Sequence, residues 1–203
     1  MNAFNEPAAA RRTRRMEQRD ATASSVLEAA RAEFESAGYE GANLRAIAAR
    51  AGVSAGTVLH HYGDKRELLH AALFDALSTT LNDALSKPGP GPLEAQLSRL
   101  GKRVLKGYLE RPHLSKVLLK ESLFADGPWA KRFTDQTAAV HAAVQRWADE
   151  AIARRELKKG TDTRVLAAAW LSFFYFALMG WVQGANEKPG SLLDTLTRQH
   201  LDR

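Results

Sequence analysis

The chain contains no cysteine. That absence removes disulfide frameworks and thiolate metal sites together, and makes a reducing compartment, the cytoplasm, the expected home. Strand patterning is also missing: apolar residues recur at spacings of three and four rather than two, so an all-α fold is expected. Helix breakers are concentrated in SKPGPGP (86–92), the one obvious interruption. No HExxH or His/Cys ligand spacing occurs, and the adjacent His60 and His61 project about 100° apart on a helix, so they do not chelate one ion. Gly101-Lys102 does not make a phosphate loop, because Gln96 stands where its first glycine belongs and Arg103 where Ser or Thr belongs. No nucleophile motif is present. Neither a metal, nor a cofactor, nor an enzymatic activity is expected.

What the chain does have is positive charge and apolar helix. The net charge is +6 over 203 residues, which suits a polyanionic partner. Part of the excess is local: residues 1–19 carry Arg11, Arg12, Arg14, Arg15 and Arg19 against Glu6 and Glu17. With no apolar core after those arginines, the segment does not read as a secretory signal. It reads as a disordered basic arm, suited to minor-groove or phosphate contact. At 45% hydrophobic residues the chain can build a sizeable core. Residues 165–182, VLAAAWLSFFYFALMGWV, carry no charge over 18 positions, the lower edge of membrane-spanning length. Its alanines and Ser172 dilute the hydrophobicity and its neighbours are ordinary amphipathic helices. A helix buried against its own core and a second subunit is therefore expected, with no membrane.

Roughly nine helices are expected. The first is capped at Asp20 or Thr22, lays Val26, Leu27, Ala30, Phe34 and Ala37 on one face, and ends at Gly38. Asn43 caps a short helix over 44–51, Gly52 stops it, and Ser54 caps another that runs to about Tyr62. Asp64-Lys65-Arg66-Glu67 resembles a capping box opening a long fourth helix. Further helices are expected near 93–109, 113–124 and 128–157, from Thr161 to about Gly184, and from Ser191.

The pair 44–51 and 55–62 has the proportions of a helix-turn-helix. In that motif the second helix packs one face on the scaffold while its N-terminal turn enters the major groove. Val58 and Tyr62 supply the packed face. Ala55, Gly56 and His60 point the other way, the small first pair permitting close approach to base edges. Thr57, His61 and Lys65 are placed to meet phosphate, and the N-terminal amides of the Asn43 helix offer another anion site.

The stretch from Val26 to Leu69 resembles the DNA-binding domain of the TetR/AcrR family of bacterial transcriptional regulators. The resemblance rests on Ala29-Ala30, Phe34, Gly38-Tyr39, Ile47-Ala48, Ala51-Gly52-Val53-Ser54, Gly56-Thr57, His61 and Lys65. It implies a DNA site made of Asn43, Arg45, Ser54, Ala55, Gly56, Thr57, His60, His61 and Lys65. Within it, Ala55, Gly56 and His60 face bases while Thr57, His61 and Lys65 grip phosphates. Leu59 departs from the pattern, standing where the family commonly has a backbone-touching tyrosine.

The resemblance further implies a helical C-terminal half with an effector pocket, and a last helix pair that joins its copy in a four-helix bundle. Domains are accordingly expected at 1–19 (arm), 20–66 (DNA binding) and 67–203 (ligand binding and dimerisation). Pocket candidates are His113, Glu121, Trp129, His141, Trp170 and Tyr175. Interface candidates are Trp170, Phe173, Phe174, Phe176, Trp181, Leu192 and Leu196. The implied function is a homodimeric repressor on a pseudo-palindromic duplex operator, released by a small-molecule effector. The alternatives are a ligand-independent or activating regulator and, behind them, a soluble α-helical enzyme.

Overall fold

The computed structural model describes residues 8–123 and 127–202, excepting the side chains of 8–11, 76, 121–123 and 127. Among the described residues every regular element is a helix: α1 (Ala8–Gly41), α2 (Leu44–Ala51), α3 (Ala55–Tyr62), α4 (Lys65–Ser86), α5 (Leu93–Leu109), α6 (Pro112–Leu123), α7 (Gly127–Ala153), α8 (Thr163–Val182) and α9 (Pro189–Leu201). The chain forms two compact units, residues 1–74 and 75–203, with α4 running through the division.

In the first unit the local chemistry sets the boundaries. Gly38 adopts φ 68°, ψ 175°, a conformation outside the helical region, and so interrupts α1 where a C′ glycine is expected. Asn43 Oδ1 accepts the Arg45 N–H at 2.8 Å and opens α2. Gly52, in the left-handed region at φ 70°, ends it by donating to the carbonyls of Ala48 and Ala49. Val26, Phe34, Ile47, Val58, Leu68 and Leu69 are fully buried and hold α1 to α4 around one core.

One expectation changes. The basic segment read as a disordered arm is, from Ala8 onward, a continuation of α1. Residues 12–20 are all exposed, so no packing holds them helical. The cause is intrinsic: from Ala8 to Ala37 the sequence has neither Gly nor Pro and is rich in Ala, Arg and Glu. Residues 1–7 lie outside the described residues.

In the second unit α7 packs on α8, and α9 packs on both α5 and α8. Ala143, Ala148 and Ala151 of α7 and Ala167 and Ala177 of α8 are buried, and such small side chains let two helices approach closely. A Cβ added to Gly101 would lie 2.5 Å from Leu193 Cδ2, which explains a glycine inside α5 opposite α9. The α7 helix stops at Ala153, short of the expected 157, because Arg155 turns the chain with φ 65°. Glu156 then accepts the Leu93 N–H at 2.8 Å and caps α5 from 63 residues away. Its carboxyl is held below the usual range, first by the Arg154 hydrogen bond. The α8 helix opens at Thr163 rather than Thr161, with Asp162 as its cap, accepting from Arg164 and Val165.

Candidate nucleic-acid interface and interior cavity

The tip of the first unit is α3, fixed from both ends. Ser54 Oγ accepts the Thr57 N–H at 3.0 Å and lies 2.9 Å from Thr57 Oγ1, so the two hydroxyls form one polar corner at the helix start. Gly63 closes the other end by donating to the Leu59 carbonyl at 2.8 Å. The inward face is Val58, 1% exposed, with Tyr62 donating its hydroxyl to the Ala23 carbonyl at 3.2 Å. The outward face is Gly56, Leu59 and His60, all exposed, flanked by half-buried Ala55, Thr57 and His61. The His60 and His61 rings meet edge to face at 5.7 Å. On α2, Arg45 and the capping Asn43 are exposed. All nine residues named for DNA contact are thus exposed or half-buried around one pair of capped helix starts, Lys65 among the half-buried. The arrangement offers hydroxyls, an imidazole and a guanidinium to a polyanion.

Lys65 is turned inward. Its Nζ donates to the carbonyls of Glu40 and Ala42, each at 3.1 Å, and sits 4.7 Å over the Tyr39 ring. An ammonium has three N–H groups, so two are already committed to the end of α1 and the loop that follows it. The partners lie 23 and 25 residues back in the chain, which is why sequence spacing points only to the solvent side.

The second unit holds a cavity of about 50 Å³. Its wall comes from α4 (Leu81), α5 (Leu100, Val104, Tyr108), α7 (Phe133, Gln136, Thr137, Val140) and α8 (Trp170, Leu171, Phe174, Tyr175). Tyr175 and Thr137 place their hydroxyls 3.4 Å apart, and Gln136 Nε2 donates to Ser78 at 3.1 Å. Burial pushes the Tyr108 phenol well above its ordinary pKa, with the neighbouring Tyr175 adding to the effect. Trp170 is 3% exposed, and its Nε1–H, fully buried, has no acceptor among the described residues. Among the described residues no ionisable acid or base other than the two phenols lines the space.

Of the six pocket candidates, Trp170 and Tyr175 line this cavity. The others do not. His113 is exposed, Trp129 stacks under the Arg132 guanidinium at 4.6 Å, and His141 Nε2 lies 3.1 Å from the Arg164 carbonyl. Glu121 falls outside the described side chains. Sequence reasoning missed Tyr108, Gln136 and Thr137; the available signal was a polar residue set within an apolar helical stripe, as Thr137 is between Phe133 and Val140.

The interface candidates also divide. Trp170 and Phe174 point into their own subunit, 3% and 6% exposed and stacked on each other, so neither belongs to an outer face. Phe173, Trp181, Leu192 and Leu196 are half-buried. Phe176 is 65% exposed and Val165 59%, and with Ala168 and Ser172 they form one open stripe of α8. By length and composition α8 is apolar enough to cross a membrane, and about a third of its most apolar stretch is buried.

Residues 26–72 match the family profile of bacterial regulatory proteins, tetR family. Over 125 residues the chain is 30% identical to the HTH-type transcriptional repressor AcnR of Corynebacterium efficiens, covering 59% of this chain and 60% of that protein. Over 157 residues it is 27% identical to the HTH-type transcriptional repressor KstR of Rhodococcus jostii, covering 72% and 68%. The match thus spans about three-fifths of the length of the first of these relatives. Among solved structures, a TetR transcription regulator from Haloarcula marismortui superposes with TM-score 0.76 at 20% identity, covering 89% of this chain and 96% of that one. The regulator FadR from Bacillus subtilis, in complex with stearoyl-CoA, superposes with TM-score 0.68 at 15% identity, covering 86% and 97%. At those identities the likeness is one of fold.

Proposed function

We propose that the chain, whose residues 26–72 carry the tetR-family match, is a cytoplasmic, homodimeric transcriptional repressor of that family that binds a pseudo-palindromic operator and is released by a small molecule. The observation that carries the reading is the α3 tip, capped by Ser54, with no side chain at Gly56 and His60 outward. His60 and Arg45 read base edges; Asn43, Ser54, Thr57, His61 and the backbone amides of α2 hold phosphates. Ala55 and Gly56 let the helix end approach closely, and the exposed arginines of α1 add phosphate or minor-groove contact. A C2 dimer formed through the open stripe of α8 presents two such tips to two half-sites.

Release requires a ligand that prefers one of two conformations. A tenfold loss of operator affinity needs only about 1.4 kcal/mol of differential ligand affinity. The cavity is the seat, and α4, continuous from Lys65 to Ser86, carries Leu81 on its wall. A ligand's buried part must be uncharged, since an ion would lose its water with no counter-charge in the lining. A neutral acceptor on it satisfies Trp170 Nε1.

The volume favours a second reading. About 50 Å³ is well below the roughly 300 Å³ at which ligand pockets begin, so the cavity must enlarge to admit an effector, or the regulator answers to none. Methyl benzoate and benzoate, which share the aryl carboxyl frame and differ in charge by the ester methyl, separate the readings. Under the effector reading the neutral ester raises the melting temperature and the anion does not. No response to any neutral ligand favours the ligand-independent regulator.

The function itself is tested by fluorescence anisotropy with the duplex upstream of the protein's own coding sequence against scrambled duplex. Preference for the former is expected, with affinity falling steeply as salt rises. Thr57→Ala is expected to weaken all sequences alike, whereas His60→Ala blurs the preference. An intact dimer without sequence preference overturns the repressor reading.

A further inference from the structure

The outward face of α3 carries two features that the fold does not require. Gly56 sits in the helix with an ordinary φ, and a Cβ there would meet only Ser54 Oγ, at 3.6 Å. Neither backbone conformation nor internal crowding calls for glycine, while its presence in a helix costs stability relative to alanine. The reason for the missing side chain therefore lies outside the subunit. One turn further along the same face, Leu59 is 44% exposed, whereas the other aliphatic side chain of α3's middle turn, Val58, is fully buried. Leu59 holds apolar area in water, which is unfavourable in the free protein.

Together these residues make a shallow step: no side chain at 56 and a branched apolar one at 59, beside the imidazole of His60. A phosphate gains nothing from leucine, which has no donor. Among the groups on base edges in the major groove, the thymine C5-methyl is the apolar one. We infer that Leu59 is a specificity residue that packs against a thymine methyl in each operator half-site, and that Gly56 is empty so that the helix can come close enough for this contact. The inference rests on the DNA-binding reading above. At the position where the family pattern has a backbone-touching tyrosine, this chain trades a sequence-independent contact for one that reads a base.

The test uses full-length wild-type protein and its Leu59→Ala variant. Duplexes are first enriched from a random-sequence library by the wild type, and each thymine of the enriched site is then replaced singly by deoxyuridine, which lacks only the methyl. The wild type is expected to lose roughly fourfold in affinity at one thymine per half-site, the equivalent of unburying one methyl group. In Leu59→Ala the same replacement is expected to have no effect. A Gly56→Ala variant is expected to bind several-fold more weakly without any loss of melting temperature. If no deoxyuridine position matters, or if the penalty persists in Leu59→Ala, the inference is overturned while the enrichment leaves DNA binding standing. If the wild type enriches no sequence, the DNA-binding reading falls and this inference falls with it.

Discussion

Phe176→Glu is expected to convert the protein from a dimer to a monomer. Phe176 lies 65% exposed at the C-terminal end of the α8 stripe that also carries Val165, Ala168 and Ser172. Burying a phenylalanine is worth about 1.5–3 kcal/mol, and a two-fold axis counts the residue twice. Discounting for the third of the ring already covered, removal from both copies costs roughly 2–4 kcal/mol, on the order of thirtyfold to a thousandfold in the dimer Kd. The introduced carboxylates add to this, because two like charges face each other in an apolar seam. Sedimentation equilibrium measures the outcome, with the melting temperature as the control for folding; an exposed side chain contributes little to its own subunit's core. Operator affinity should fall with the dimer, since each tip then binds its half-site alone. A variant that remains dimeric with unchanged affinity places the interface elsewhere. A wild-type protein that partitions into membranes assigns the stripe to lipid instead.

The same helix shows where sequence reading reaches its limit. The all-α class, the short α2–α3 pair and its caps were legible because they depend on neighbours in sequence: Asn43 on Arg45, Ser54 on Thr57, Gly52 on the carbonyls just before it. The apolar helix over 165–182 was also legible, but not which side faces in. A helix hydrophobic around its whole circumference has no preferred direction in its pattern. Trp170, Phe174 and Phe176 look equivalent in sequence, and only packing against α5, α7 and α9 sends the first two inward and leaves the third out. The cavity was hidden for the same reason. Tyr108, Gln136, Thr137 and Trp170 come from three helices and meet only when those helices are packed. At the N-terminus the miss was of another kind: charge suggested disorder, whereas an uninterrupted run of good helix formers continued α1 without any tertiary support.

Lys65→Met is expected to lower the melting temperature as well as weaken DNA binding, and the balance between the two decides what Lys65 does. In the folded chain its ammonium bonds the carbonyls of Glu40 and Ala42, both at 3.1 Å, and covers the Tyr39 ring. These contacts fasten the loop that delivers Asn43, the cap of α2, to the start of the helix-turn-helix. A hydrogen bond from a charged donor contributes about 1.5–3 kcal/mol when well buried. Lys65 is half-buried and water can replace part of the loss, so the two together are worth about 2 kcal/mol. For a unit of this size that is on the order of 10 °C. Methionine keeps the length and the apolar stem, so the change reports the ammonium rather than a cavity. Were Lys65 solely a phosphate ligand, the melting temperature would hold and the slope of log K against log salt would shrink by about one. With the ammonium committed inside, the melting temperature falls and the salt slope stays, because the lost affinity comes from a misplaced α2–α3 pair rather than a missing ion contact. Lys65→Arg sharpens the distinction: a guanidinium serves a phosphate as well as an ammonium does, but its planar fork does not reproduce two carbonyl bonds directed at one nitrogen.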